Sequence, residues 1–174
     1  GQKEAGMGVI AADLDGNSST DLFVTHLDME SNTFYRNLGE QMGFMDDSGI
    51  SGLGPSSMNY TGFGVVAFDL ELDGDLDLFV ANGRVRSGPK RPGTKSPPPW
   101  DHYSEPNLCY INSGSGRFVD GKEIVGDFSS VVETSRGLAA GDIDGDGLVD
   151  LYVTNTGPNN LLANAGEGRF LELL

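Results

Sequence analysis

Short apolar runs alternate with glycine and acidic residues along this chain. The clearest case is residues 137–155, where a glycine-led apolar run precedes the loop DIDGDGLVD and the apolar run LYV follows it. Short apolar runs bounded by turn residues are typical of β-strands, and signals for helices are nearly absent. The pattern therefore predicts two strands joined by an acidic hairpin loop at residues 142–150.

This strand-loop-strand pattern occurs three times, with acidic loops that begin at Asp13, Asp69 and Asp142. After each loop, a further apolar run lies between two asparagines, and a turn ending in phenylalanine leads into a last short run. Self-similarity of this kind is the sequence signature of a repeat architecture. Four short antiparallel strands in each unit are typical of a propeller blade.

We therefore predict an all-β chain: a β-propeller segment of about three four-stranded antiparallel blades, with a calcium loop in the first hairpin of each blade. The predicted repeats are 1–52, 53–120 and 121–174, which together form one partial propeller. Closed propellers typically have about 4–8 blades, and three blades alone leave sheet edges uncovered. We expect the chain to be part of a larger chain or complex.

The second repeat carries an insertion at residues 84–105. This segment holds five of the 11 basic residues, five of the 8 prolines and the only tryptophan. Proline-rich segments favour extended conformations, so we expect a surface loop. Its basic charge beside an acidic body makes it the candidate contact for an acidic partner surface. The connections between blades are predicted at 48–62 and 121–136.

Composition narrows the possible functions. The chain has 26 acidic and 11 basic residues, a formal net charge of -15, and 26 glycines, which fit many tight turns. So acidic a chain does not bind nucleic acid through bulk electrostatics, and its apolar runs are too short for membrane insertion. The single cysteine excludes an internal disulfide. We expect bound calcium to stabilise the fold in place of a disulfide. We also expect an extracellular or periplasmic location, where calcium is plentiful.

The loop at 142–150 has the composition of a cation site. Carboxylates at alternating positions can point to one side of a tight turn, and Gly147 lets the backbone fold back with positive φ. Oxygen ligands on a flexible loop suit Ca²⁺ better than Mg²⁺. An EF-hand is excluded because a strand, not a helix, follows the loop. The alternative is a solvated acidic turn without an ion. The predicted ligands are the side chains of Asp142, Asp144, Asp146 and Asp150 and the backbone carbonyl of Leu148.

The other two loops vary this ligand set. In the second loop, Glu71 replaces aspartate at the third position, and Asp75 at the seventh position offers its carbonyl while its side chain points outward. In the first loop, Asn17 stands at the fifth position, Ser18 replaces the glycine, and Ser19 offers the carbonyl. Because it has one acid fewer at the ligand positions, the first loop is expected to bind calcium most weakly.

The sequence gives little support for a catalytic function. The only histidines are His26 and His102, and His102 lies in the Trp-Asp-His-Tyr cluster of the insertion. That cluster suits either a sugar or peptide contact or a packed loop tip. Cys109 lies in an apolar run, which predicts a buried, inert thiol. Asn17 and Asn59 match the glycosylation sequon, although a metal ligand explains Asn17 better.

The motif DIDGDGLVDLYV, with its Gly-Leu-Ala-Ala lead-in, resembles the FG-GAP or VCBS repeat of integrin-α-type β-propellers. The segments NNLLANAGEGRF and PNLCYINSGSGRFVD resemble the version found in the ASPIC/UnbV, or cartilage-acidic-protein-like, group. The resemblance covers nearly the whole chain and implies calcium in the first hairpin of each blade, up to three ions. The implied ligands in the first two loops are Asp13, Asp15, Asn17, Ser19, Asp21, Asp69, Glu71, Asp73, Asp75 and Asp77.

These features together predict a calcium-binding β-propeller module for protein or glycan binding or scaffolding outside the cytoplasm. Calcium has a structural role in this interpretation, and no catalytic constellation is recognised. Two alternatives stay open. One is a structural subunit of a larger multi-chain assembly, and the other is a propeller-type polysaccharide lyase or hydrolase, which would need a pocket containing His102, Tyr103 and unpaired acids.

Overall fold

The structure, a computed structural model, describes residues 3–166 and 168–173. Three four-stranded antiparallel sheets follow one another along the chain, and we call them blades 1 to 3. Strands are numbered in chain order. Blade 1 consists of β1 (Val9–Ala12), β2 (Asp21–Val24), β3 (Thr33–Asn37) and β4 (Phe44–Asp46). Blade 2 consists of β5 (Gly62–Phe68), β6 (Asp77–Asn82), β8 (Leu108–Asn112) and β9 (Phe118–Asp120). Blade 3 consists of β11 (Ser135–Gly141), β12 (Asp150–Asn155), β13 (Asn160–Asn164) and β14 (Phe170–Glu172).

The prediction of an all-β chain with about three four-stranded antiparallel blades is confirmed. Each blade pairs its strands in sequence order, as a meander of hairpins. The acidic loops connect the first strand of each blade to the second. The same pairing recurs in register: Val9 lies opposite Val24 in blade 1, and Val65 lies opposite Val80 in blade 2.

Two hydrophobic cores lie between neighbouring blades. The core between blades 1 and 2 contains Phe23, Phe34 and Tyr110, and the core between blades 2 and 3 contains Phe68 and Phe79. The rings of Phe68 and Phe79 stack with centroids 4.4 Å apart. Successive side chains of a strand point to opposite faces of its sheet. Blade 2 therefore contributes alternate residues of the same strands to both cores.

The connections between blades contain short helices that the sequence patterns did not indicate. They are α1 (Ser48–Ser51), α2 (Leu53–Ser57) and α3 (Asp127–Ser130). Leu53 and Phe128 on two of them are fully buried in the cores. A single buried residue on one turn leaves no helical periodicity in the sequence, which explains why these elements escaped prediction.

The insertion is anchored to the body of the protein. It contains a 3₁₀ helix (Trp100–His102) and ends in β7 (Glu105–Pro106), which pairs with β10 (Val132–Glu133) of the following connection. The fully buried Glu105 accepts a hydrogen bond from the amide of Thr61 at 2.8 Å. The expected loop thus braces blade 2 against blade 3, since β10 leads into β11.

Most of the basic charge of the insertion is neutralised within the chain. Four of its five cations pair with carboxylates of the same protein. The pairs are Arg84–Glu105 (3.4 Å), Arg91–Glu105 (3.2 Å), Lys90–Asp101 (3.3 Å) and Lys95–Glu172 (2.6 Å). Burial raises the pKa of Glu105, and the two arginines hold back this rise. The positive charge of the insertion therefore compensates the acidic body to which it is attached.

Two glycines permit the close approach of successive blades. A Cβ atom on Gly64 would lie 2.6 Å from the amide nitrogen of Leu138, and one on Gly8 would lie closer still to the carbonyl of Phe63. These glycines lie at or beside the first strands of their blades, where backbones of neighbouring blades meet. Only a residue without a side chain fits there.

We expect Gly64→Ala to destabilise the protein by about 1–3 kcal/mol, because the added methyl group forces the backbones of blades 2 and 3 apart. Chemical denaturation measures the change. The matched control is Gly141→Ala, since a Cβ atom there meets no heavy atom within 4 Å. Equal stability of the two variants would contradict this account of blade packing.

Candidate metal centre

The three acidic loops share one backbone course. Positive φ angles recur at the fourth and sixth positions of each nine-residue loop. The residues there are Gly16 and Ser18, Leu72 and Gly74, and Gly145 and Gly147. The positive φ predicted for Gly147 is confirmed, at 89°. Ser18 and Leu72 adopt this conformation without being glycine, which costs on the order of 1 kcal/mol each. The loop conformation is therefore retained where the sequence does not favour it.

The first aspartate of each loop organises the loop backbone. In the third loop, the carboxylate of Asp142 accepts hydrogen bonds from the amides of Gly145 (2.7 Å) and Gly147 (3.0 Å). Asp13 and Asp69 accept two amide hydrogen bonds each from the fifth and sixth loop residues. The tight turn thus forms around a carboxylate, which fixes this side chain on the inner side of the loop.

Carboxylates converge in two of the loops. Ligand atoms of Asp142, Asp144 and Asp146 all lie within 4.8 Å of one another, and so do those of Asp13, Asp15 and Asp21. The third-loop cluster is exposed to solvent. Like charges at such distances repel unless water or a cation screens them. These clusters are parts of two of the three predicted ligand sets, since Asp150 is not among the carboxylates that converge in the third loop.

The last aspartate of each loop joins the hairpin to the third strand of its blade. Asp150 accepts one hydrogen bond from the amide of Ile143 in the loop and one from the amide of Asn164 in β13, both at 2.9 Å. The same two contacts recur in the other blades: Asp21 accepts from Leu14 and Asn37, and Asp77 accepts from Leu70 and Asn112. This residue therefore has a structural role besides any contact with an ion.

The asparagine that ends each third strand completes this link and was not predicted as a site residue. In blade 2, the side chain of Asn112 donates to the carbonyl of Leu76 in its own loop (3.2 Å) and to that of Leu14 in the first loop (2.9 Å). Asn37 and Asn164 donate to carbonyls of their own loops. The sequence feature that could have identified these asparagines is their recurrence at the same position of each repeat.

The second loop departs from the other two. Glu71 is exposed and is not part of a carboxylate cluster in the described structure. Its pKa is raised by partial desolvation and then by the charges of Asp77, Asp73, Asp69 and Asp75. Burial is also the main cause that raises the pKa of Asp77, to about 6, with further contributions from Asp73 and Asp69. Uncompensated negative charge therefore accumulates in this loop.

The first loop contains an internal cation. The guanidinium group of Arg36, on β3, lies 2.9 Å from Asp15 and 2.8 Å from Asp47. It also donates to the carbonyl of Ser115 in blade 2, at 3.2 Å. The corresponding positions on β8 and β13 are Ile111 and Ala163, which carry no charge. Only the first of the three acidic loops has an arginine at this position to offset its carboxylates.

The remaining residues singled out from the sequence have packing contacts. Cys109 is fully buried in the core between blades 2 and 3, as predicted, and burial raises the pKa of its thiol. The His102 ring donates from Nδ1 to the carbonyl of Gly88 at 3.0 Å. Trp100 and Tyr103 pack with ring centroids 5.9 Å apart. Trp100 is still 41% exposed, so the cluster combines internal contacts with an exposed aromatic side chain.

The raised pKa of Asp77 predicts a pH dependence of stability for the calcium-free protein. Because the folded protein binds the Asp77 proton more tightly than the unfolded chain does, stability should increase by about 1 kcal/mol as the pH falls from 7 to 5. Denaturation in chelator at both pH values measures this gain. Asp77→Asn should reduce the pH-dependent difference, and an unchanged difference in that variant would count against the assignment.

We expect Arg36→Gln to lower the free energy of unfolding of the calcium-free protein by roughly 2 kcal/mol, since Asp15 and Asp47 lose a charged hydrogen-bond partner. Added calcium should recover part of the loss by compensating Asp15. Denaturation with and without calcium tests this, with Arg86→Gln at an exposed position of the insertion as control. Equal effects of the two substitutions would refute the role given to Arg36.

Comparison with known families agrees with the repeats seen in the structure. The FG-GAP-like repeat matches residues 13–80 and 101–153, which include all three acidic loops and more than half of the chain. The gap between the two matched ranges falls largely within the insertion. A search among curated proteins found no match. From the matched ranges and the three blades, the chain belongs to the FG-GAP-like repeat family.

Proposed function

We propose that this protein is a calcium-stabilised β-propeller module that binds or scaffolds a protein or glycan outside the cytoplasm. The observation that carries the proposal is the recurrence of one acidic hairpin with one backbone course in all three blades. From its motifs, we propose that the module is of the ASPIC/UnbV type. Each ion supplies positive charge where the blade sequence concentrates negative charge, and its role is to hold the first hairpin of the blade.

The donor sets fit a hard cation. Carboxylate, amide and carbonyl oxygens are the ligands that Ca²⁺ takes in flexible loops. Asp142, Asp144, Asp146 and Asp150 would hold the ion in the third loop, with the carbonyl of Leu148. The clustered carboxylates there have no cationic side chain among the ion pairs of the described residues. This makes the third loop the strongest proposed site.

The other proposed sites are weaker for different physical reasons. In the first loop, Arg36 already compensates Asp15, and an ion would have to share this carboxylate. In the second loop, Glu71 lies apart from the kind of carboxylate cluster seen in the first and third loops. We propose one Ca²⁺ for each loop, with affinity highest at the third.

The proposed partner contact lies on the side of blade 2 near the insertion. A groove of about 250 Å³ there is lined by residues that include Tyr60, Tyr110, Asn107 and Asp120. Its amide and carboxylate groups suit a hydroxyl-rich glycan or a polar peptide segment. Because most cations of the insertion are paired internally, recognition would rest on this groove and on the exposed surface of the insertion.

A second function, as a structural subunit of a larger assembly, is favoured by the exposed sides of the two terminal blades. Val9 of blade 1 is 63% exposed and Tyr152 of blade 3 is 40% exposed, whereas all six residues of β6 in blade 2 are buried. The part of the chain that the structure describes has no helix long and apolar enough to cross a membrane.

Removal of calcium should lower the melting temperature by about 5–10 °C, as expected when a ligand contributing a few kcal/mol is lost. Proteolysis at the acidic loops should increase at the same time. Calorimetry and limited proteolysis, with chelator and with excess calcium, measure both effects. A melt insensitive to chelator would contradict the calcium proposal.

The same experiment on two variants locates the ion. Asp144→Asn should reduce the calcium-dependent rise in melting temperature, because it removes a proposed third-loop ligand. Asp28→Asn makes the same change of charge at an exposed position outside the loops and should leave the rise intact. If both variants respond to calcium like the wild type, the third loop is not the principal site.

A further inference from the structure

The turn before the last strand of a blade lies against the acidic loop of the preceding blade. At the junction of blades 1 and 2, a Cβ atom on Gly116 would lie 3.0 Å from Asp15 of the first loop and 3.0 Å from the guanidinium group of Arg36. At the junction of blades 2 and 3, a Cβ atom on Gly168 would lie 3.1 Å from Leu70 of the second loop. The two glycines have similar φ angles, 69° and 73°. The two junctions therefore bring together the same parts of the repeat.

A cationic side chain closes the first junction. The guanidinium group of Arg36 lies 2.9 Å from the carboxylate of Asp15 and donates to the carbonyl of Ser115 in blade 2 at 3.2 Å. Asn112 of blade 2 adds a second link by donating to the carbonyl of Leu14 in the first loop, at 2.9 Å. An arginine side chain of the protein itself thus occupies the space between the loop and the turn.

The second junction is open at the equivalent place. Ile111 corresponds to Arg36, and it is uncharged and packs in the core between blades 2 and 3. Asn164 corresponds to Asn112, but among the hydrogen bonds of the described residues its side chain donates to Val149 of its own loop. A cavity of about 250 Å³ lies between the second loop and blade 3. The residues that line it include Leu70, Glu71, Leu72, Ile124, Leu148 and Gly168. One carboxylate is therefore combined with apolar side chains.

Leu72 is an unfavourable residue for the conformation and exposure of its position. Its φ angle is 60° and 73% of the residue is exposed, whereas the residues at the same position of the other two loops are Gly16 and Gly145. Sterics disfavour a positive φ for leucine, and water disfavours its exposed side chain. Residues held in strained conformations cluster at binding sites. A ligand that fills the cavity would cover the Leu72 side chain, which lines it.

We propose that this cavity binds an arginine side chain of a partner protein, with the guanidinium group at Glu71 and the side-chain carbons against Leu72 and Leu148. The protein already makes this kind of contact with its own Arg36 at Asp15. A guanidinium group pairs with a carboxylate while the arginine carbons lie along apolar surface. The site is separate from the groove near the insertion.

Charge complementarity favours a cationic partner. Glu71 has no cationic side chain among the ion pairs of the described residues. Four aspartates in the same loop add to the negative charge around it. Because Glu71 lies outside the carboxylate clusters of the described structure, its contact with a guanidinium group does not require calcium.

Titration of the protein with the peptide acetyl-Gly-Arg-Gly-amide, followed by NMR in the presence of chelator, tests the proposal. The amide signals of Leu72, Leu148 and Gly168 should shift as the peptide is added. A peptide with citrulline in place of arginine keeps the shape but lacks the charge, and it should bind about tenfold more weakly. Cavity signals that do not move at millimolar peptide, or equal affinities for the two peptides, would overturn the proposal.

Glu71→Gln should weaken binding of the arginine peptide by about tenfold, because the charged acceptor is lost. The matched control is Glu40→Gln, which makes the same change of charge at an exposed position of blade 1 and should bind like the wild type. Circular dichroism melts confirm that both variants are folded. A Glu71→Gln protein that binds the peptide as tightly as the control would refute the contact.

Leu72→Gly separates the cost of this residue to the fold from its use in binding. Glycine adopts a positive φ without strain, so the melting temperature should rise. Peptide binding should weaken by about threefold, because an apolar wall of the cavity is removed. Undiminished binding by this variant would contradict the proposed site.

Discussion

The blades depend on one carboxylate contact, which occurs three times. The aspartate that closes each acidic loop accepts a hydrogen bond from the loop and another from the third strand. This contact holds the hairpin in register with the rest of its sheet, and the register decides which side chains enter each core. Because the residue is buried and acidic, the fold places negative charge where the neighbouring carboxylates already concentrate it. Each loop therefore concentrates negative charge beside a contact on which its blade depends.

The three loops differ in what surrounds their carboxylates. In the first, Arg36 reaches from β3 to Asp15 and ties the loop to blade 2 through Ser115. In the second, burial and like charges raise the pKa of Asp77 to about 6. In the third, exposed carboxylates lie close together in solvent. The three loops therefore share one backbone course but differ in the charge around their carboxylates. These differences in sequence are the reason that we propose different calcium affinities for the three loops.

Most of the fold could be predicted because its signals are local and repeated. Alternating apolar residues, glycine turns and in-register loops indicated the strands, and three copies made the blade architecture clear. The short helices could not be predicted, since Leu53 and Phe128 each contribute one buried side chain without periodicity. The ion pairs of the insertion could not be predicted either. The composition showed five cationic residues, but only the tertiary structure shows that Glu105 pairs with two of them. For the site, the spacing indicated the carboxylates, whereas the bridging asparagines and Arg36 depend on contacts between strands and blades.

The acidic loops of neighbouring blades are connected, because the side chain of Asn112 donates hydrogen bonds both to the loop of its own blade and to the loop of the preceding blade. Stabilising one hairpin should therefore support its neighbour. The most direct test of the central claim is a count of bound calcium by equilibrium dialysis of the wild-type chain and of an Asp142→Asn variant. The account predicts three ions for each wild-type chain at saturating calcium and the loss of the tightest one in the variant. A wild-type chain that binds none at millimolar calcium would contradict it.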